Sequence, residues 1–169
     1  IKISFYNDSL FSKLRRRLHY TYNPLFMDLF SRVLHIITNI SWAADLTALI
    51  ASVVLGIVWF HPKVFGKTWM ELVKLKPEDR KSTRALNAMF WNIPITFIIA
   101  ANIAAFCKHF KHDTAAEGFL IGYDLGLIIC LFLAIHYLYE QRPLKLYAIV
   151  AGYTLVSMSV MGLIIGAII

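Results

Sequence analysis

Charge is scarce in this chain. Asp, Glu, Lys and Arg make up 16% of its 169 residues, against about a quarter in soluble domains. That excludes an ordinary water-soluble domain, and it equally excludes a disordered chain, which stays open through high charge and low hydrophobicity. Cysteine is nearly absent: Cys107 and Cys130 lie six and seventeen residues from a common turn centre near Asp113. About 16 Å of helix rise separates them at roughly 1.5 Å per residue, too far for a disulfide. There is no glycine-rich phosphate loop, no nucleophile elbow and no paired-histidine metalloprotease motif. No catalytic residue, metal site or cofactor is assigned on that basis.

What fills the chain is apolar. Hydrophobic residues account for 59% and the mean hydropathy is +0.62. A membrane-spanning helix needs about 20 apolar residues, so this length holds four spans and no separate catalytic domain. The expected spans are 42–60, 85–107, 118–139 and 146–168. The second is the clearest, since Arg84 and Lys108 bracket 23 uncharged residues, and Pro94 within it predicts a kink through the loss of a backbone donor. The third contains Asp124 and His136. The fourth has no charge at all. Short connectors after the second and third spans predict antiparallel neighbours. A single long span over 33–60 is the alternative at the start, because only His35 and Asp45 interrupt it.

The net charge of +7 suits lipid headgroups and topology better than nucleic acid, and no nucleic-acid partner is expected. The loop from His61 to Arg84 carries seven Lys/Arg and the third loop two more, against two in the second loop. By the positive-inside rule the large loop faces the cytoplasm or matrix. Within it Lys76-Pro77-Glu78-Asp79 reads as a helix start. Residues 1–41 form a separate extension. It has a basic cluster, Arg15, Arg16 and Arg17, then Asn23-Pro24, then an amphipathic stretch with Leu25, Leu29, Val33, Ile36, Ile37 and Ile40 at helical spacing and Asp28 and Arg32 paired on another face. A helix lying in the membrane interface is expected there.

From Leu55 to Trp69 the order is Gly56, Trp59-Phe60, Pro62, Phe65-Gly66-Lys67 and Trp69. This resembles the signature of the domain of unknown function 1761 family of small membrane proteins, in which the first span enters the first loop. Small-residue third and last spans, as in Gly118 to Gly126 and Ala148 to Gly166, are similar to that family as well. The resemblance covers about residues 42–169 and implies a four-span helical protein with no established activity. Independently of the family, Trp59, Phe60 and Trp69 suit the headgroup level, with His61 among the interface residues, Lys67 suits a phosphate headgroup, and Phe65-Gly66 makes a tight return. A structural loop anchoring the first span is the plainer reading; a ligand-binding loop is the sharper one.

Ionisable groups inside spans are costly and face a partner or a water-filled cavity. If the second and third spans pair about Asp113, Asn102 and Asp124 lie at similar depth, so Asn102 could donate to the Asp124 carboxyl, with Asp45 entering from the same side. The same symmetry puts Asn92 near His136 at the opposite end, beside His61 and Glu140. His109 and His112 have metal-ligand spacing, but flanking Lys108 and Lys111 disfavour a dication. Gly118, Gly122 and Gly126 form one small-residue stripe, Gly162 and Gly166 a second, and Ala100, Ala101, Ala104 and Ala105 a third. Such stripes bring helix backbones close, either within the bundle or, at the Gly162–Gly166 face, against another subunit.

The expected fold is all-α, an integral membrane four-helix bundle with an N-terminal amphipathic interfacial helix. The expected role is a non-catalytic accessory or scaffold subunit of a larger membrane complex. Its expected partners are other membrane-protein subunits, or copies of itself, and anionic phospholipids. A mitochondrial inner-membrane respiratory or ATP synthase complex is a natural host, given Arg15 to Arg17 and the absent initiator Met; a bacterial inner membrane also fits. The rival is a small oligomeric ion- or proton-coupled transporter or channel using Asp124.

Overall fold

The computed structural model describes residues 31, 41–76, 78–79, 82–111 and 114–169. The expected amphipathic helix, Arg15 to Arg17, Pro77 and His112 lie outside the described residues. The chain divides into two compact units, 1–39 and 40–169, and the second carries α1 (Trp42–Trp59), a π-helical turn (Pro62–Gly66), α2 (Lys67–Leu72), α3 (Thr83–Phe110), α4 (Ala115–Tyr139) and α5 (Leu144–Ile168). No strand occurs among the described residues. The helices α1, α3, α4 and α5 are long and apolar enough to cross a membrane, so the protein is an all-α integral membrane bundle of four spans.

Local chemistry sets the helix ends. Ser41, at φ −93° and ψ 80°, is not helical, so α1 starts at Trp42; most of the stretch 33–41 lies outside the described residues. Ser82 Oγ accepts the Ala85 N–H at 3.2 Å to start α3, which ends at Lys111 in the left-handed region, φ 56°. Thr114 and Glu117 form a reciprocal cap on α4, with Thr114 Oγ1 accepting the Glu117 N–H at 3.3 Å and donating to its carboxylate at 2.7 Å, as a Thr-x-x-Glu sequence favours. Pro94 sits inside α3, which runs through it uninterrupted. The anticipated helix start at Lys76 is a short turn in which Asp79 Oδ2 accepts the Lys76 N–H at 2.9 Å.

Helix α5 is the hub, packing against α1, α3 and, most extensively, α4. Along the α4–α5 seam the glycines face one another. A Cβ on Gly118 would overlap the Gly162 carbonyl oxygen, and a Cβ on Gly162 would overlap that of Gly118. Gly122 sits equally close to the Met158 carbonyl, and Gly166 to that of Thr114. This reciprocity decides between the two readings of the Gly162–Gly166 face: α4 of the same chain fills it, leaving no room there for another subunit. Ala44 and Ala48 of α1 and Ala100 and Ala104 of α3 share a buried cluster with Ile103, Cys107, Met158, Met161 and Ile165.

A correction concerns the hairpin of the second and third spans. Contact between α3 and α4 is slight. A cleft of about 230 Å³ opens between them, lined by Ile99, Asn102, Phe106, Leu125, Ile128 and Met158 among others. Bulky side chains hold these two backbones apart, whereas glycines let α4 close on α5.

Polar side chains in the spans tie the bundle together. The Ser52 and Ser157 hydroxyls meet at 2.8 Å, Tyr153 Oη donates to the Ser52 carbonyl at 3.4 Å, and Tyr147 Oη to that of Cys130 at 3.1 Å. Each satisfies a group that lipid cannot.

Candidate functional site

Three regions carry the polar residues. The first is the turn that leaves α1. Trp59 donates its indole N–H to the Ile149 carbonyl at 3.1 Å, and its ring lies 4.9 Å from Phe65. The Phe60 ring meets Trp69 at 5.4 Å and Tyr153 at 5.2 Å, both edge-on. His61 Nδ1 accepts the Lys63 N–H at 3.2 Å and so caps the π-helical turn. Gly66 is buried where the π-helical turn packs on the end of α1: a Cβ there would overlap the Phe60 carbonyl oxygen and lie 2.9 Å from the His61 carbonyl carbon. The turn therefore lies at His61, at φ −67° and ψ 141°, rather than at Phe65-Gly66, where Gly66 is helical at φ −62° and ψ −38°; Trp59, Phe60 and Trp69 form an aromatic collar locked onto α5. Lys67 is exposed at the start of α2. Tyr153, Ser52 and Ser157 were not among the candidate residues. The signal for them was polar groups within otherwise apolar spans, which interhelical hydrogen bonds explain.

The second region is the start of α1. Asp45 is 0% exposed, and neither carboxyl oxygen has a hydrogen-bond partner. Its helix neighbours Ala44 and Ala48 are wholly buried in the cluster shared with α3 and α5. Lys108, near the end of α3, is the cation whose field reaches it. An ion in such a place costs several kcal/mol of lost hydration. A helix N-terminus returns at most about 2 kcal/mol.

The third region is the outer surface. Asp124 is exposed on α4. Asn102 donates to the Ile98 carbonyl of its own helix at 2.8 Å, so the anticipated Asn102–Asp124 bond is not formed; with α3 and α4 splayed, equal depth does not bring the two side chains together. Asn92 and His136 are both exposed and are not joined either: the His136 ring packs edge-on against Phe132 at 4.8 Å. Glu140 pairs with Arg142. From Thr83 to Ile95 no residue of α3 is buried, and Phe90 and Trp91 are 67% and 63% exposed.

Among the described residues, no three His, Cys, Asp or Glu side chains converge on a metal-sized site. The assembled features are thus a locked aromatic turn, a buried lone carboxyl and polar groups on an apolar exterior. No curated protein and no solved structure matches the chain. The family profile described as "Protein of unknown function (DUF1761)" matches residues 43–166, a stretch that holds all four spans and the aromatic turn, and the chain belongs to that family.

Proposed function

We propose that this protein is a non-catalytic accessory or scaffold subunit whose spans pack into a larger membrane assembly. The observation that carries this reading is the outward placement of Asp124 and Asn92 on surfaces that are otherwise apolar. A polar side chain facing hydrocarbon is costly and is met by a partner helix or an aqueous cavity. The unburied half of α3, with Phe90 and Trp91 beside Asn92, offers both apolar area and a hydrogen-bonding anchor to such a helix. The basic cluster Arg15 to Arg17 favours an energy-transducing inner membrane, mitochondrial or bacterial, with anionic lipid as a further partner. The test is a photo-crosslinking residue at Trp91, activated in native membranes. A discrete protein adduct is expected, and lipid adducts alone would overturn the reading.

One observation favours the rival transporter. Asp124 is exposed on α4, so in a ring of identical copies it would stand at the interface and could line an ion or proton path. Asp124→Asn separates the two readings: a variant that assembles normally but loses pH- or ion-dependent flux in liposomes supports transport, whereas loss of assembly alone supports the scaffold.

A further inference from the structure

We propose that the cleft between α3 and α4 is a lipid site, which holds the distal part of one phospholipid acyl chain at the bilayer midplane. Depth sets the chemistry of the occupant. Leu125 and Ile129 each stand ten residues from an end of α4, and Met158 stands ten from the end of α5, which is about 15 Å at roughly 1.5 Å per residue. Half of a hydrocarbon core about 30 Å thick is the same distance. A phosphate headgroup therefore stays at the surface, and only hydrocarbon reaches the cleft. Water is disfavoured there as well, because it needs about two to four polar partners. Asn102 carries the one amide on the lining, and its Nδ2 already donates to the Ile98 carbonyl at 2.8 Å.

Size and wall shape separate a chain from a helix. An apolar cavity of about 150 Å³ admits benzene, so the cleft of about 230 Å³ admits a run of about nine carbons. One turn of a helix about 10 Å across fills roughly 400 Å³, too much for the space. Helices that associate within a membrane also present small residues to each other, as α4 and α5 do at Gly118 and Gly162. The cleft presents Phe106, Leu125, Ile128 and Ile129 instead. Branched and aromatic walls leave a crevice that a flexible methylene chain fills and a partner backbone does not. Packing is gained on both sides, since an unfilled gap forfeits dispersion contacts. The chain thus supplies the contact that α3 and α4 make only slightly with each other. This site is separate from the partner surface proposed at Trp91 and does not depend on it.

The experiment uses the full chain in phosphatidylcholine vesicles doped with a phosphatidylcholine that carries a diazirine at the methyl end of one acyl chain. Extraction in mild detergent disperses loosely held lipid, and irradiation follows. Peptide mass is expected to place the adducts within 99–106 and 125–129. The same lipid with its diazirine beside the ester is expected to leave those residues unlabelled. Leu125→Phe with Ile129→Phe, which fills the cleft with protein, is expected to lose the adduct while the tryptophan fluorescence stays native. The comparison of the two probes needs no variant and decides even if that protein fails to fold. Equal labelling of the cleft by both probes would overturn the proposal, as would an adduct that persists in the filled variant. So would adducts spread evenly onto the outward Leu131 and Leu138, or no adduct at all. A photo-crosslinking residue at Ile128 that joins residues 1–39 or a second copy of the chain would overturn it too, because protein would then cover the cleft.

Discussion

Gly122 and Gly126 lie one turn apart on the face of α4 that meets α5, and the structure assigns them very different tolerances. In Gly122→Ala the new methyl would overlap the Met158 carbonyl oxygen and come within 2.9 Å of its carbonyl carbon and 3.1 Å of Ser159 Cα. These are backbone atoms, so relief requires α4 and α5 to separate. Separation would also strain the reciprocal Gly118–Gly162 contact and the weak Cα–H···O interactions that such proximity supports. Overpacking costs about 1–3 kcal/mol, sometimes more, and a backbone obstacle puts this case near or above about 3 kcal/mol. In Gly126→Ala the nearest atoms are Leu155 Cα at 3.3 Å, Leu155 Cδ1 at 3.4 Å and Met158 Cβ at 3.4 Å, a fit that small side-chain adjustments accommodate. Alanine also gains up to about 1 kcal/mol of helix propensity over glycine, so the net change stays within about 1 kcal/mol of zero. The gap of about 2–3 kcal/mol corresponds to a factor of roughly 30 to 150 in the folding equilibrium, at tenfold per 1.4 kcal/mol. Denaturant titration in mixed micelles, followed by tryptophan fluorescence, measures it. Equal effects of the two substitutions would refute the seam geometry. So would a Gly122→Ala protein of unchanged stability that merely drops out of a larger assembly.

Other perturbations probe other parts of the bundle. Ser52→Ala leaves the Ser157 hydroxyl buried without its 2.8 Å partner and is expected to cost about 1 kcal/mol, while Ser52→Ala with Ser157→Ala restores most of it, because removing both partners is nearly neutral; a double-mutant cycle in the same titration reads the coupling. Gly66→Ala is expected to open the π-helical turn by forcing the chain off the Phe60 carbonyl, seen as protease sensitivity between His61 and Arg84 with the spans intact. Single cysteines at Lys63 and Lys111, in a background lacking Cys107 and Cys130, are expected to label from opposite sides of the membrane, with Lys63 on the cytoplasmic or matrix side; labelling of both from one side would overturn the four-span topology.

Much of this architecture is legible in the residues themselves. The uncharged run between Arg84 and Lys108 marks α3, which extends to Thr83–Phe110 because capping at Ser82 and the left-handed Lys111, rather than the charges, end it. The third span, expected from Gly118, begins at Ala115 because Thr114 and Glu117 cap it. The motif from Trp59 to Trp69 points to a turn out of the first span, which the structure places at His61 rather than at Gly66. The candidate site was less legible. Asp124 and Asp45 both read as carboxylates inside spans. The tertiary structure separates them, burying Asp45 and leaving Asp124 exposed on α4, since position along a span says nothing about which way a side chain faces or what neighbouring helix covers it.

The sequence by itself determined that four apolar helices cross a membrane, because the length and hydropathy of each segment are local properties that lipid reads directly. It also determined that small residues bring some of those helices close. Which helices they join was decided only in three dimensions. Glycines on α4 and α5 admit backbone contact, while Phe106, Ile128 and Ile129 keep α3 and α4 apart. That choice rests on the relative facing of distant segments, and from it follow the buried Asp45, the outward Asp124 and the unburied half of α3.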